Sequence, residues 1–114
     1  MSEKTLFSKI IDREVPARIE HEDDHCVAIH DIDPKAPLHL LIIPKKPIPR
    51  IEDASADDRT LLGHLFLVAA QLSEKLALDG GFRLIVNNGR DAGEAIPHLH
   101  IHMLGGRRLS WPPG

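Results

Sequence analysis

The chain has a single cysteine, Cys26. It can form no internal disulfide framework, and that usage fits a reducing compartment. No apolar run approaches the roughly 20 residues of a membrane helix, which argues against a membrane-spanning protein. There is no basic excess: 14 Lys and Arg stand against 17 Asp and Glu, for a net charge of −3. Phosphate backbones demand concentrated Lys and Arg, so nucleic acid is not an expected partner. Internal repeats, low-complexity tracts and linkers long enough to divide domains are all lacking. The opening Met1-Ser2-Glu3-Lys4 is polar and mixed in charge, unlike a signal peptide. Together these absences predict a cytoplasmic, single-domain protein over residues 1–114. A chain of this length buries roughly 60–70% of its unfolded surface and folds without a disulfide or metal staple.

What the chain does have is histidine, 8 in 114 residues, three of them at alternate positions near the end. The elements around them read as follows. Leu6, Phe7, Ile10 and Ile11 have the spacing of a short helix over Thr5–Ile11, stopped by Pro16. Ala17–Glu20 and His25–Asp31 are plausible strands around an acidic, turn-like Glu22-Asp23-Asp24. Leu38–Ile43 is nearly continuous in apolar residues, broken only by His39, as in a strand buried on both faces. Asp53–Leu78 is the one long helix candidate, with Ser55 as N-cap and Gly80-Gly81 closing it. Its stripe is Leu61, Leu65, Val68, Leu72 and Leu76, widened by Leu62, Phe66 and Ala69. Phe82–Asn87 and His98–Leu104 read as strands, with Asn88–Ile96 a loop between them. The fold class is therefore α+β, a five-stranded, mostly antiparallel sheet with one long and one short helix. So small a sheet has an exposed edge, which invites a homodimer.

The chemistry concentrates in His98-Leu99-His100-Ile101-His102-Met103-Leu104. On a strand, the three histidines project from one face and Leu99, Ile101 and Met103 from the other. Imidazole is a poor filler for a solvent-facing row, so an ordinary polar outer face explains the pattern badly. Two functional readings remain open on spacing alone. One is a metal site, with His39 or Cys26 supplying a further ligand to the His-x-His pair. The other is a histidine acting directly on a phosphoryl or acyl group while its neighbours orient it. The preceding loop, Asn87 to Ala95, contains Gly89 and Gly93, which let backbone N–H groups turn toward an anion. Beside the histidines, that favours an anionic substrate over a bare structural metal.

The motif resembles the histidine-triad signature, His-φ-His-φ-His-φ-φ with φ apolar, at every position. Further segments resemble the Hint branch of that family, the histidine triad nucleotide-binding proteins. They include Leu6–Ile11, His30-Asp31-Ile32, Ala36–His39, Ile42–Lys46, Leu61–Leu65, Leu104–Arg107 and Trp111–Gly114. The resemblance implies a homodimer whose two sheets join into one, and hydrolysis of purine nucleoside phosphoramidates and aminoacyl adenylates without a cofactor or metal. It implies His100 as nucleophile, forming a nucleotidyl-histidine, within a catalytic set of His98, His100, His102 and His39. Asn87 and the backbone around Gly93 and Ala95 would contact the phosphate with His102, and Asp31 would hold the ribose hydroxyls. Phe7, Ile10, His30 and Ile32 would line the base pocket, and Trp111 would lie near the partner's site. The same resemblance leaves two rivals: a nucleotide-binding interaction protein with incidental catalysis, and a dinucleoside polyphosphate hydrolase of the sister branch. The chain departs from the pattern at Gly93-Glu94-Ala95, where many Hint proteins carry Gly-Gln-Ser, and at Pro97 in place of an aromatic. Leaving-group preference is where those departures bear.

Several of these residues have plainer readings. A lone histidine in an apolar run, such as His39, is ordinarily a satisfied core residue. Asp31 precedes a Pro-containing loop and could simply cap a turn, and Phe7 and Ile10 could serve the core alone. Cys26 is expected to pack in its strand, and His64 inside the long helix to be structural or interfacial.

Overall fold

The computed structural model describes residues 4–114. Five strands form one antiparallel sheet in the order β1-β2-β3-β5-β4. They are β1 (Ile19–Glu22), β2 (Cys26–His30), β3 (Leu38–Pro44), β4 (Phe82–Ile85) and β5 (Ile101–Gly105). Helix α1 (Leu6–Ile11) and helix α2 (Arg59–Lys75) pack on the two faces. The α+β expectation holds, and β3 is buried along its length after Leu38.

Alternation of side chains along the strands sorts the core into two layers. Cys26, Ala28, Leu40, Ile42, Ile101 and Met103 pack against Leu65, Val68, Ala69 and Leu72 of α2. Val27, Ile29, Leu41 and Ile43 pack on the other face against Phe7 and Ile10 of α1. The site grows from this second, thinner layer.

Element boundaries differ from the sequence expectation where local hydrogen bonding intervenes. Helix α2 begins at Arg59, not near Asp53, because two 3-10 turns precede it. Ser55 does cap, but it caps the second turn: its hydroxyl accepts from Asp57 N–H, and Asp58 Oδ2 accepts from Ser55 N–H, a closed capping box. The helix ends at Lys75, before the glycines. Ala77, at φ 53°, makes the left-handed turn, with Leu78 N–H on Ser73 O and Ala77 N–H on Glu74 O. Phe66 does not join the core stripe; it is 55% exposed, beside Leu67 at 63%.

The histidine segment is the most informative difference. Only Ile101 onward is strand, and residues 98–100 leave the ladder. The cause lies in the neighbouring strand: β3 ends at Pro44, which has no N–H to continue pairing. Leu99 N–H turns instead to the Ile48 carbonyl, 2.7 Å away.

Candidate active site

The three histidines share the α1 side, yet they play three different structural parts. His98 is almost completely buried, at 1% exposure. Its Nε2 lies 2.8 Å from the Pro44 carbonyl oxygen. A carbonyl only accepts, so Nε2 carries the proton and Nδ1 is bare. That bare nitrogen sits 3.3 Å from Thr5 Oγ1 and 3.4 Å from Ser8 Oγ, the first turn of α1. Burial moves His98 below its ordinary pKa, only partly opposed by the Pro44 carbonyl, so the ring is neutral. It does not reach the cavity described below. Its contacts are instead with Pro44 and the first turn of α1, and its own carbonyl oxygen holds His100.

His100 is held by His98 through the backbone. Its Nδ1–H donates to the His98 carbonyl oxygen at 2.7 Å. In a neutral ring this leaves Nε2 with a free lone pair. Phe7 stands edge-on to the ring, with centroids 4.8 Å apart. His100 is 7% exposed, and what it exposes is toward a cavity.

His102 is fixed from the opposite direction. Lys35 N–H donates to His39 Nδ1 at 3.0 Å, so the proton of a neutral His39 is on Nε2. His39 Nε2 lies 2.9 Å from His102 Nδ1 and donates to it. His102 therefore keeps its own proton on Nε2, available to a ligand. Burial, with the neighbouring His100 and His39, pushes His102 down to about 4. Burial also lowers His39, against the opposing pull of the Asp31 carboxylate. His39, His98 and His102 are thus neutral rings at neutral pH, with tautomers set by backbone groups directly or, for His102, through His39.

These residues open on a cavity of about 410 Å³, within the usual range for a small-molecule site. Phe7, Ile10, His30, Asp31 and Ile32 line it, as do Asn87, Gly93 and Ala95. Ile32 is at the mouth, 99% exposed. His39 stands behind His102, outside the wall. Trp111 is 82% exposed and contributes nothing to its own chain's cavity. Of that tail, Pro113 borders a neighbouring concavity beside His39 and His102. Wall residues that sequence reasoning missed include Val15, Ala17, Ile29, Leu41 and Ile96. Ile29 and Leu41 follow from strand alternation, being on the α1 face; the others carry no local signal.

The loop entering the histidine segment is braced. Asn87 Nδ2 donates to Ala92 O at 2.7 Å, and Gly93 sits at φ 81°, a left-handed conformation that favours glycine. Glu94 Oε1 accepts from Gly89 N–H, and Glu94 Oε2 pairs with Arg50 at 2.7 Å. Arg50 first of all holds the Glu94 carboxyl below its usual range. That negative charge is therefore spent on Arg50 and the loop, outside the cavity wall.

Of the two further metal ligands considered from sequence, His39 stands beside His102 and Cys26 does not. Cys26 packs under α2 on the far face, and His98 is engaged with Pro44. The metal-capable donors at this site are instead Asp31, His39 and His102, within 4.8 Å of one another.

Comparison with known proteins agrees with this geometry. The HIT domain model matches residues 12–109. A HIT-like protein of Synechocystis sp. is 53% identical over 114 residues, the whole of both chains. A HIT family hydrolase from Legionella pneumophila superposes with a TM-score of 0.95 at 44% identity, covering 97% of this chain and all of that one. A histidine triad nucleotide-binding protein from Candida albicans superposes with a TM-score of 0.81 at 30% identity, covering 96% of this chain and 83% of that one. Three histidines in alternation, a fourth ordering the last of them, and these full-length matches place the chain in one family: it belongs to the HIT domain family.

Proposed function

We propose that the protein hydrolyses the P–N bond of purine nucleoside 5′-phosphoramidates, and aminoacyl adenylates as related substrates. The observation that carries this reading is the His100 Nδ1–H bond to the His98 carbonyl, which leaves Nε2 as a fixed lone pair at the cavity wall.

In this reading Nε2 attacks the α-phosphorus, the P–N bond breaks, and a nucleotidyl-histidine forms. The ring becomes cationic as it bonds, and the His98 carbonyl on Nδ1–H stabilises that charge. The P–N nitrogen leaves as the neutral amine, its proton drawn from solvent, while His102 Nε2–H, which the His39 bond keeps in place, donates to a phosphoryl oxygen and stabilises its charge. Water then attacks phosphorus, losing its proton to solvent, and His100 leaves as the neutral ring with the nucleoside monophosphate. Asp31 accepts from the ribose hydroxyls. Its Oδ1 accepts Asp33 N–H at 2.8 Å, which orients the carboxylate. The apolar wall around Phe7 and Ile10 takes the base with little discrimination between adenine and guanine. Ala95 offers the leaving group no hydroxyl. The working form in this reading is a homodimer, with Trp111 reaching the second copy's site; the edge strand β4 and exposed Phe66 and Leu67 support it.

The test is a kinetic comparison of adenosine 5′-phosphoramidate, an aminoacyl adenylate and a diadenosine polyphosphate. The first two are expected to turn over with much higher kcat/KM. Preference for the diadenosine polyphosphate would reassign the protein to dinucleoside polyphosphate hydrolysis.

A further inference from the structure

At the other end of β2, and on the other face of the sheet, four side chains unused by this chemistry converge. His21 Nε2 and His64 Nε2 lie 2.8 and 2.7 Å from the same oxygen, Asp23 Oδ2. Cys26 Sγ lies 3.6 Å from that oxygen too. The His21, Asp23 and Cys26 donor atoms are all within 4.8 Å of one another. Asp23 does not wander: its Oδ1 accepts from His25 N–H at 2.8 Å and Cys26 N–H at 2.9 Å.

We propose that His21, Asp23 and Cys26, with His64 on the fourth side, form a divalent-cation site of zinc type, separate from the catalytic pocket. Two imidazoles, a carboxylate and a thiolate are ligands that zinc takes in tetrahedral sites. Bonds of about 2.0–2.3 Å would set the donor atoms roughly 3.3–3.8 Å apart; the His21, Asp23 and Cys26 atoms already lie within 4.8 Å of one another, and His64, 2.7 Å from Asp23 Oδ2, would swing in from α2. The charges also close. Zinc displaces one proton, from the Cys26 thiol, and the thiolate and the Asp23 carboxylate together neutralise the cation. The two imidazoles stay neutral, each moving its proton from Nε2 to Nδ1. Burial, then the Asp23 carboxylate, pushes the Cys26 thiol up to about 12 in the metal-free protein, so the sulfur stays a thiol until a cation arrives. His21 and His64 are partly exposed and provide the entry path. A bound ion would tie the β1–β2 turn to α2.

The protein, stripped with chelator, is titrated with Zn²⁺ and with Co²⁺ as spectroscopic probe. One ion per chain is expected, with a thiolate-to-cobalt charge-transfer band and tetrahedral d–d intensity. Cys26→Ala should abolish the charge-transfer band, and His21→Gln should weaken binding by more than about tenfold. His39→Gln and His102→Gln should leave it unchanged. Thermal unfolding in chelator verifies that each variant is folded, and His21→Gln, at a part-exposed position, serves if Cys26→Ala does not fold. Absence of the thiolate band at equimolar cobalt, or binding lost in His39→Gln and His102→Gln but kept in His21→Gln, overturns the proposal. The second outcome would place the ion on Asp31, His39 and His102 instead.

Discussion

The His98 carbonyl oxygen accepts the Nδ1 proton of His100 at 2.7 Å, so the first histidine of the motif fixes the tautomer of the second through its backbone. The ring of His98 is in turn clamped between Pro44 and the first turn of α1. The geometry of His100 thus depends on residues about ninety positions away in the chain, and the clamp can be dissected.

Thr5 and Ser8 both present hydroxyls to His98 Nδ1, so each can serve alone. Ser8→Ala should cost under about 1 kcal/mol, and Thr5→Val about 1 kcal/mol for its helix cap. The double variant strands a buried nitrogen and should lose roughly 1–3 kcal/mol beyond their sum. Denaturant unfolding of the four proteins measures this coupling; simple additivity would mean the hydroxyls do not share that nitrogen.

His39 should be needed to hold the tautomer of His102, not to touch substrate. His39→Leu should cut kcat by roughly tenfold or more, while His39→Gln, which keeps an N–H donor, should recover much of it. Nitrogen NMR of the His102 ring should read Nε2–H in the parent and in His39→Gln, and a mixture in His39→Leu. An unmixed Nε2–H ring in His39→Leu would show that something else sets it.

Acid should weaken the fold through these rings before the carboxylates are reached. His102 titrates near 6.5 when unfolded and at about 4 when folded. Between those values the unfolded chain binds more protons, so stability is complete above pH 6.5 and falls as pH drops toward 4. His98 and His39, also lowered by burial, add in the same direction. Discounted for solvent access, the loss from His102 is about 1–3 kcal/mol, read from urea unfolding across that range. A His102 variant should flatten the profile; an unchanged slope would remove His102 as its source.

Much of the site was legible because strand periodicity is short-range. Alternation put His98, His100 and His102 on one side and Ile101 and Met103 under α2. His39, beside β5, obeys the same rule, since it pairs with Leu104, the last position of the motif and on the same face as His102. What the sequence did not disclose were the partners that divide labour among identical side chains. Nothing local says that Pro44 O takes the His98 proton or that Lys35 N–H takes the His39 lone pair. These are tertiary contacts, and they hold the His98 ring away from the cavity. Element ends failed for a similar reason: a side-chain capping box at Ser55 and a left-handed Ala77 outweighed helix periodicity and the glycine signal. Phe66 fit the apolar stripe by spacing, yet its side of α2 faces away from the sheet. Glu94 departs from the family pattern in the loop before the histidines, and nothing local says that Arg50, distant in sequence, pairs with it.

The central claim is that His100 Nε2 becomes covalently bonded to phosphorus. Mixing enzyme with adenosine 5′-phosphoramidate, quenching within a turnover and mapping the adduct by mass tests it most directly. The account predicts one adenylyl group per chain on His100, and neither adduct nor turnover in His100→Asn with the fold intact. A wild-type rate in His100→Asn, or an adduct on another residue, would contradict it.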